Sequence, residues 1–194
     1  MIPSWLFNSI TNYRASRIAN YLAEYLRPGE TLLDCGCGTM LIAEMLQRRH
    51  GIKAFGTDVI HLDQSNHHFC LCSGERLAFK TGAFDNVCVI FALHHMSNPI
   101  VALSEFLRVT KKRLIVLEDV YQNAFELRLL KTLDYHGNRV ISESMSLPFN
   151  FKTESEWKRI FEYLNTKLIV TESIRPNPLR LSRHRLFILE KNIG

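Results

Sequence analysis

Residues 31–40, TLLDCGCGTM, constrain the fold more than any other stretch, because an apolar strand ends in a carboxylate and passes through a glycine turn into a helix. Leu32 and Leu33 read as a buried parallel strand, Gly36 and Gly38 let the backbone pass close beneath a ligand, and Leu41, Ile42, Met45 and Leu46 continue at helical spacing. A strand, turn and helix joined in this way aim backbone N–H groups at whatever sits above the turn. That is the architecture of a nucleotide-type cofactor site.

The turn itself narrows the choice of cofactor. A dinucleotide fingerprint, GxGxxG, needs a third glycine where this chain has Leu41, so NAD is disfavoured. Asp34, two residues before the first glycine, suits a ligand that carries an ammonium group and no phosphate, as S-adenosylmethionine does. The segment resembles motif I of the class I S-adenosylmethionine-dependent methyltransferases, whose signature runs LDxGxGxG, with Met40 at the third glycine. The resemblance implies that Asp34, Cys35, Gly36 and Gly38 hold the cofactor.

Two later segments follow in the same family's order. KAFGTD (53–58) reads as a second strand ending in an acid, roughly 20 residues after the first, where a ribose-binding carboxylate belongs. By resemblance Asp58 takes the ribose hydroxyls and Val59 lies against the adenine. CSGERLAFKTGAFDNVCVIFALHH resembles the third pattern, with Ser73 at the place of the adenine-reading aspartate and Ala78 at that of a proline. Gly74, Glu75 and Leu77 keep the shape of the turn, so Ser73 and nearby backbone are expected to read the adenine edge, and Phe91 joins the cofactor group with Gly74 and Glu75. Val87–Leu93 is a continuous apolar run, the mark of a strand covered on both faces, and His94 and His95 follow its carboxyl end, where open α/β sheets bind ligands.

The fold class expected is α/β, a three-layer doubly wound Rossmann-like methyltransferase fold with a mostly parallel seven-stranded sheet and an antiparallel final strand. Residues 1–194 are expected to form one methyltransferase domain, in keeping with a 46% hydrophobic chain of this length. Residues 1–28 read as an N-terminal helical lid of one or two amphipathic helices, with Tyr13 and Arg14 as pocket residues. Asn98–Val109 reads as a helix and Arg113–Leu117 as a fifth strand. Residues 121–151 are too long for a simple connection and are expected to wall the substrate side. Their first part shows helical spacing through Phe125, Leu129, Leu130 and Leu133 and stops at Gly137. Tyr121, His136, Asn138 and Asn150 are the candidate substrate residues there, with Tyr135, Phe149 and Phe151 as aromatic surface. Thr153 to Leu164 opens with a capping sequence and makes the last helix, before strands at 168–170 and 186–189.

A formal charge of +5 permits a nucleic-acid partner without requiring one, and Arg175, Arg180, Arg183, His184 and Arg185 read as a solvated loop. The start lacks the features of a signal peptide, no run reaches the ~18 apolar residues of a membrane span, and the five cysteines suit a reducing compartment, so a cytoplasmic protein is expected. No metal site is expected. Cys35 with Cys37 and Cys70 with Cys72, near His61, His67 and His68, are too closely spaced for zinc pairs and fall within a glycine turn and a strand.

Methyl transfer from a sulfonium demands no metal or covalent intermediate, only near-attack geometry, exclusion of water and, for a hydroxyl acceptor, removal of a proton. His95, or else His94, is the candidate base, since imidazole titrates near neutrality. An amine or carbon acceptor needs no base. The expectation is O- or N-methylation of a small organic acceptor, in secondary metabolism, with no membrane or nucleic-acid partner. The alternatives are an RNA or protein methyltransferase, and a cofactor-binding regulatory protein without turnover.

Overall fold

The computed structural model describes residues 4–62, 68–141, 147–176 and 182–192. In chain order these form α1 (Ser4–Ala23), β1 (Thr31–Cys35), α2 (Leu41–His50), β2 (Lys53–Asp58), β3 (Phe69–Leu71), β4 (Phe84–Ile90), a 3-10 turn (Leu93–His95), α3 (Pro99–Val109), β5 (Thr110–Val120), α4 (Ala124–Ile141), α5 (Glu154–Tyr163), β6 (Thr166–Ile174) and β7 (Arg183–Lys191). Seven strands make one sheet in the order β3-β2-β1-β4-β5-β7-β6. All run parallel except β7, which is antiparallel to both β5 and β6. The chain winds outward from β1 to β3 and then crosses back to β4 on the other side of β1. Strand order reverses there, which opens a crevice at the carboxyl ends of β1 and β4.

Both faces of the sheet are covered. Leu33, Val87, Val89, Leu114 and Val116 meet Phe106 of α3 and Trp157 and Phe161 of α5. Leu32, Cys88, Ile90, Ile115 and Leu117 share the other face with Ile18 and Leu22 of α1 and Leu46 of α2. Successive strand residues thus alternate between two buried layers, which is why the central strands read as unbroken apolar runs. This is the expected three-layer, doubly wound arrangement.

The helix ends follow local chemistry. Asn98 Oδ1 accepts from the Ile100 and Val101 N–H groups at 3.2 Å each, with Pro99 in the first turn of α3. Thr153 opens α5 with a capping box, its Oγ1 accepting from Glu156 N–H while Glu156 Oε2 accepts from Thr153 N–H at 2.7 Å.

Three expectations need correction. The strand of the third pattern ends at Ile90, because Phe91 takes a left-handed backbone (φ 52°) that turns the chain. Helix α4 runs through Gly137 to Ile141 instead of stopping there. The Asn138 amide donates to the Asp134 carboxylate at 2.7 Å and to its carbonyl at 2.8 Å, and these bonds offset the roughly 1 kcal/mol that a mid-helix glycine costs. The face of α4 turned to the protein carries Leu130, Asp134 and Asn138, while Phe125 and Leu133 are exposed. Arg183, His184 and Arg185 lie on β7, paired with Glu126, Asp119 and Glu154, and not in a loop; Arg180 falls outside the described residues. Within the expectation of one or two N-terminal helices, α1 is a single helix whose Ile18, Ala19 and Leu22 are part of the core.

Candidate active site

The glycine turn is pinned to the end of β2. The Thr57 carbonyl accepts from Gly36 N–H at 2.8 Å and Cys37 N–H at 3.2 Å, in a tight strand-to-helix turn that Gly36 (φ 74°) and Gly38 (φ 53°) make possible. Asp58 completes it. Its Oδ2 accepts from Gly38 N–H at 2.9 Å and its Oδ1 from Val59 N–H at 2.7 Å and Ile60 N–H at 3.2 Å. Met40 also adopts a left-handed backbone (φ 57°), and its buried side chain lies where a Cβ on Gly56 would come within 2.6 Å of the sulfur. A small residue across the turn, Gly56, therefore makes the room that a third glycine in the turn would otherwise supply.

These elements wall a cleft of about 510 Å³ at the reversal point of the sheet. It gathers Gly36, Gly38, Asp58, Val59, Ser73, Gly74, Glu75, Phe91, His95 and Asn138, all singled out by the sequence, together with Thr57, Cys72, Met96 and Ser97, which were not. Val59 is 65% exposed on this wall, an apolar surface ready to be covered. Ser73 Oγ accepts from Glu75 N–H, and Glu75 Oε1 accepts from Asn98 N–H at 2.8 Å, tying the turn to the start of α3. The Arg14 guanidinium of α1 stacks over the Phe91 ring at 4.4 Å; burial lowers its pKa and Asp119 opposes that shift.

Other expected residues lie elsewhere. Cys35 and Asp34 are buried beneath the turn, not on the cleft wall, because both belong to β1 and point into the two covered layers, Cys35 into one and Asp34, beside Cys88, into the other. Tyr13 is half exposed on α1. Tyr121 lines a separate depression with Thr153, Ser155, Arg183 and Arg185, since β5 carries it past the cleft. His136 is exposed, out of phase with the Asp134 and Asn138 face of α4. Asn150 braces the 3-10 turn from behind, donating from Nδ2 to the Met96 carbonyl at 2.7 Å and from its backbone N–H to the His94 carbonyl at 2.9 Å.

Burial pushes the Asp34 carboxyl up to about 7; the Cys88 thiol on β4 pulls against this and Asp58 at the end of β2 adds to it. Its folded pKa lies above its unfolded value of about 3.9, so the protonated form is favoured by folding and stability is lost as pH rises through that window toward 7. The Asp34→Asn variant should therefore gain stability relative to wild type as pH rises from 4 to 8, by a few kcal/mol at most. A melting-temperature difference that stays flat across that range would remove the buried carboxyl from the account.

The histidine pair is divided between core and cleft. His94 is 1% exposed, with Nδ1 2.6 Å from Glu118 Oε2, Nε2 3.3 Å from Asp134 Oδ1 and its ring stacked on Phe151 at 4.3 Å. Burial opposes its protonation, but Glu118 and Asp134 outweigh it and lift its pKa to about 10. Glu118 Oε1 also accepts from Leu93 N–H at 2.7 Å, so the start of the 3-10 turn and the His94 ring hang on one carboxylate. His95 stands on the cleft wall, its Nε2 facing Asp134 at 3.4 Å and Asn138 at 3.5 Å and its Nδ1 buried without a hydrogen-bond partner. Of the two candidate bases, then, only His95 meets the cleft. Asp134, which the sequence gave no reason to single out, lies between both rings, and His94, His95 and Asp134 offer ligand atoms within 4.8 Å of one another.

Comparison with known proteins places this geometry in context. Residues 7–171 match the model of a methyltransferase domain family. A demethylmenaquinone methyltransferase of Beutenbergia cavernae is 34% identical over 106 residues, covering 47% of this chain and 42% of that protein, so the chain spans less than half the length of that curated relative. Among solved structures, a chain in complex with a methyltransferase activator of Haloferax volcanii superposes with a TM-score of 0.75 at 15% identity, over 96% of this chain and 94% of that one. Geranyl diphosphate C-methyltransferase of Streptomyces coelicolor, bound to Mg2+, geranyl diphosphate and S-adenosyl-L-homocysteine, gives 0.72 at 15% identity over 91% and 78%. At such identities the likeness to both structures is one of fold.

Proposed function

Since this chain belongs to the class I S-adenosylmethionine-dependent methyltransferases, we propose that it methylates a small organic molecule on oxygen or nitrogen, not an RNA or a protein. The observation that carries this reading is the make-up of the site, a single cleft to which α4 and the 3-10 turn contribute as well as the glycine turn and the end of β2. Asn138 of α4 and His95 of the 3-10 turn stand on the wall of one cavity, whose volume of about 510 Å³ falls in the range of small-molecule sites. The named acceptors of two relatives, demethylmenaquinone and geranyl diphosphate, are small molecules and support it.

The residues present fit the cofactor. Gly36 and Gly38 bring the backbone to the cleft wall without side chains, Asp58 offers a fixed carboxylate to the ribose hydroxyls, and exposed Val59 offers an apolar surface to the adenine. Ser73 and the backbone of Gly74 lie on the same wall to read the adenine edge. S-adenosylmethionine, when bound, supplies a methyl group on a positively charged sulfur. What the protein contributes is orientation and exclusion of water, holding the acceptor in line with that methyl. Asn138 of α4 serves the acceptor-side wall, and α1 covers the cofactor end where Arg14 meets Phe91. No helix among the described residues is long and apolar enough to cross a membrane.

Incubation with S-adenosylmethionine labelled on the methyl group tests the reading. Label should pass from the protein's reaction into the small-molecule fraction of a cell extract, and transfer into RNA or protein instead would overturn the acceptor class. In calorimetry Asp58→Ala should weaken cofactor binding by about 1–3 kcal/mol, since groups on both sides lose partners. A wild-type protein that binds no S-adenosylmethionine would sink the cofactor assignment itself.

A further inference from the structure

We propose that His94, His95 and Asp134 form a three-ligand site for a divalent transition-metal ion whose remaining coordination position faces the cleft. The three ligand atoms lie within 4.8 Å of one another, on two segments about 40 residues apart in the chain. Asp134 Oδ1 is 3.3 Å from His94 Nε2 and 3.4 Å from His95 Nε2. A charge-assisted hydrogen bond closes to about 2.7–2.9 Å, and these separations are longer. They are what two ligands share across an edge of a tetrahedral ion, about 3.4 Å for metal–ligand bonds of about 2.0–2.1 Å.

The surroundings are those of a built site. Metal-binding imidazoles commonly donate the other ring N–H to a carboxylate, which fixes the tautomer and aims the free nitrogen at the ion. Glu118 stands in that relation to His94, 2.6 Å from Nδ1, and is itself held by Leu93 N–H. Asn138 does the same for the third ligand, donating to Asp134 Oδ1 at 2.7 Å, while Asp134 Oδ2 is buried and without a partner. Side-chain exposure rises from 2% at His94 through 13% at Asp134 to 18% at His95, so the site opens at His95, which lies on the cleft wall. Two imidazoles and a carboxylate suit zinc, iron, cobalt or nickel better than magnesium or calcium. Metal binding sends the proton between His94 Nε2 and Asp134 to water.

The open position gives the acceptor a chemical class, an inference that rests on the methyl-transfer reading where metal binding does not. An acceptor hydroxyl bound to the ion loses its proton to water, its oxygen lone pair forms the bond to the methyl carbon, and the carbon–sulfur electrons return to sulfur. A small molecule with a metal-binding hydroxyl is the substrate such a site selects.

Titration of the purified protein with zinc, followed by calorimetry, and with cobalt(II), followed by visible absorption, tests the site. We expect one ion per chain, nitrogen and oxygen ligation in the cobalt spectrum, and a loss of affinity on the order of 100-fold in His95→Ala and in Asp134→Asn, with S-adenosylhomocysteine binding kept within a few fold. Sulfur-to-cobalt charge-transfer bands would assign the ion to cysteines and overturn the proposal. So would zinc affinity unchanged in both variants, or no zinc bound by a protein that binds S-adenosylhomocysteine normally. A protein that binds zinc through these residues but no S-adenosylhomocysteine would keep the metal site and overturn the methyl-transfer reading instead.

Discussion

Gly36→Ala should destabilise the protein by about 2–5 kcal/mol and abolish measurable cofactor binding. Two costs combine at this position. The backbone sits at φ 74°, where an L side chain costs roughly 1–2 kcal/mol, and a Cβ built there lies 2.5 Å from the Ala92 Cβ on the segment that leads into the 3-10 turn. Relieving that overlap means moving either β1's turn or the His95 wall, an overpacking cost of typically 1–3 kcal/mol. Gly38→Ala is the internal control, because it has the same backbone strain (φ 53°) but a Cβ there meets nothing within 4 Å. It should cost about 1 kcal/mol and leave the fold's transition nearly where it was. The steric half of the argument has its own check. Ala92→Gly in the Gly36→Ala background removes the methyl group that clashes and leaves the nearest atom at 4.0 Å, so stability should recover by the overlap's share. Equal losses for Gly36→Ala and Gly38→Ala in denaturant titrations, or no rescue by Ala92→Gly, would show that Ala92 does not confine the turn.

The parts of this molecule that could be read from its sequence are those whose cause is local. Leu32 and Leu33 point to opposite faces and are both fully buried, so the run in which they sit could be recognised as a central strand from its composition alone. Gly36, Gly38 and Asp58 were legible for the same reason. Their roles follow from backbone geometry and a short spacing, and the hydrogen bond from Gly38 to Asp58 is the physical expression of that spacing. Asp134 and Asn138 show the opposite case. The apolar positions of α4 pointed to a face through Phe125 and Leu133, yet the side that docks is partly polar, because its partners are two histidines and not the core. A helix held by polar contacts leaves no apolar stripe to find. The i, i+4 spacing of Asp134 and Asn138 was the available signal, and it means little until a strand end far away in the chain is known to lie beneath it. Likewise the cysteines, close together in sequence, are the residues that spacing offers first as metal ligands. The convergent ligand atoms come instead from His94, His95 and a residue on a different helix.

Glu118→Ala should unfold the protein more readily than any other single change at the site's base, by about 3–5 kcal/mol. Glu118 is fully buried at the carboxyl end of β5, and its two oxygens hold two different things: Oε1 the Leu93 N–H, Oε2 the His94 ring. Truncation leaves a buried backbone donor and a buried charged ring without their partner, and water cannot reach either to compensate. Glu118→Gln separates the two losses. Its carbonyl oxygen can still accept from one donor, but its amide nitrogen cannot accept from the other, so the variant should fall between wild type and Glu118→Ala, nearer the wild type. The consequence for the cleft follows from connectivity. Leu93 begins the turn that carries His95, and Asn150 and Phe151 pack on that turn from outside, so releasing Glu118 frees the wall without touching Asp58 or the glycine turn. At temperatures where the Glu118→Gln variant remains folded, its affinity for S-adenosylhomocysteine should stay within a few fold of wild type while methyl transfer falls. The opposite pattern, with cofactor affinity lost and turnover at saturation retained, would mean that Glu118 supports the cofactor side of the cleft and not the acceptor side.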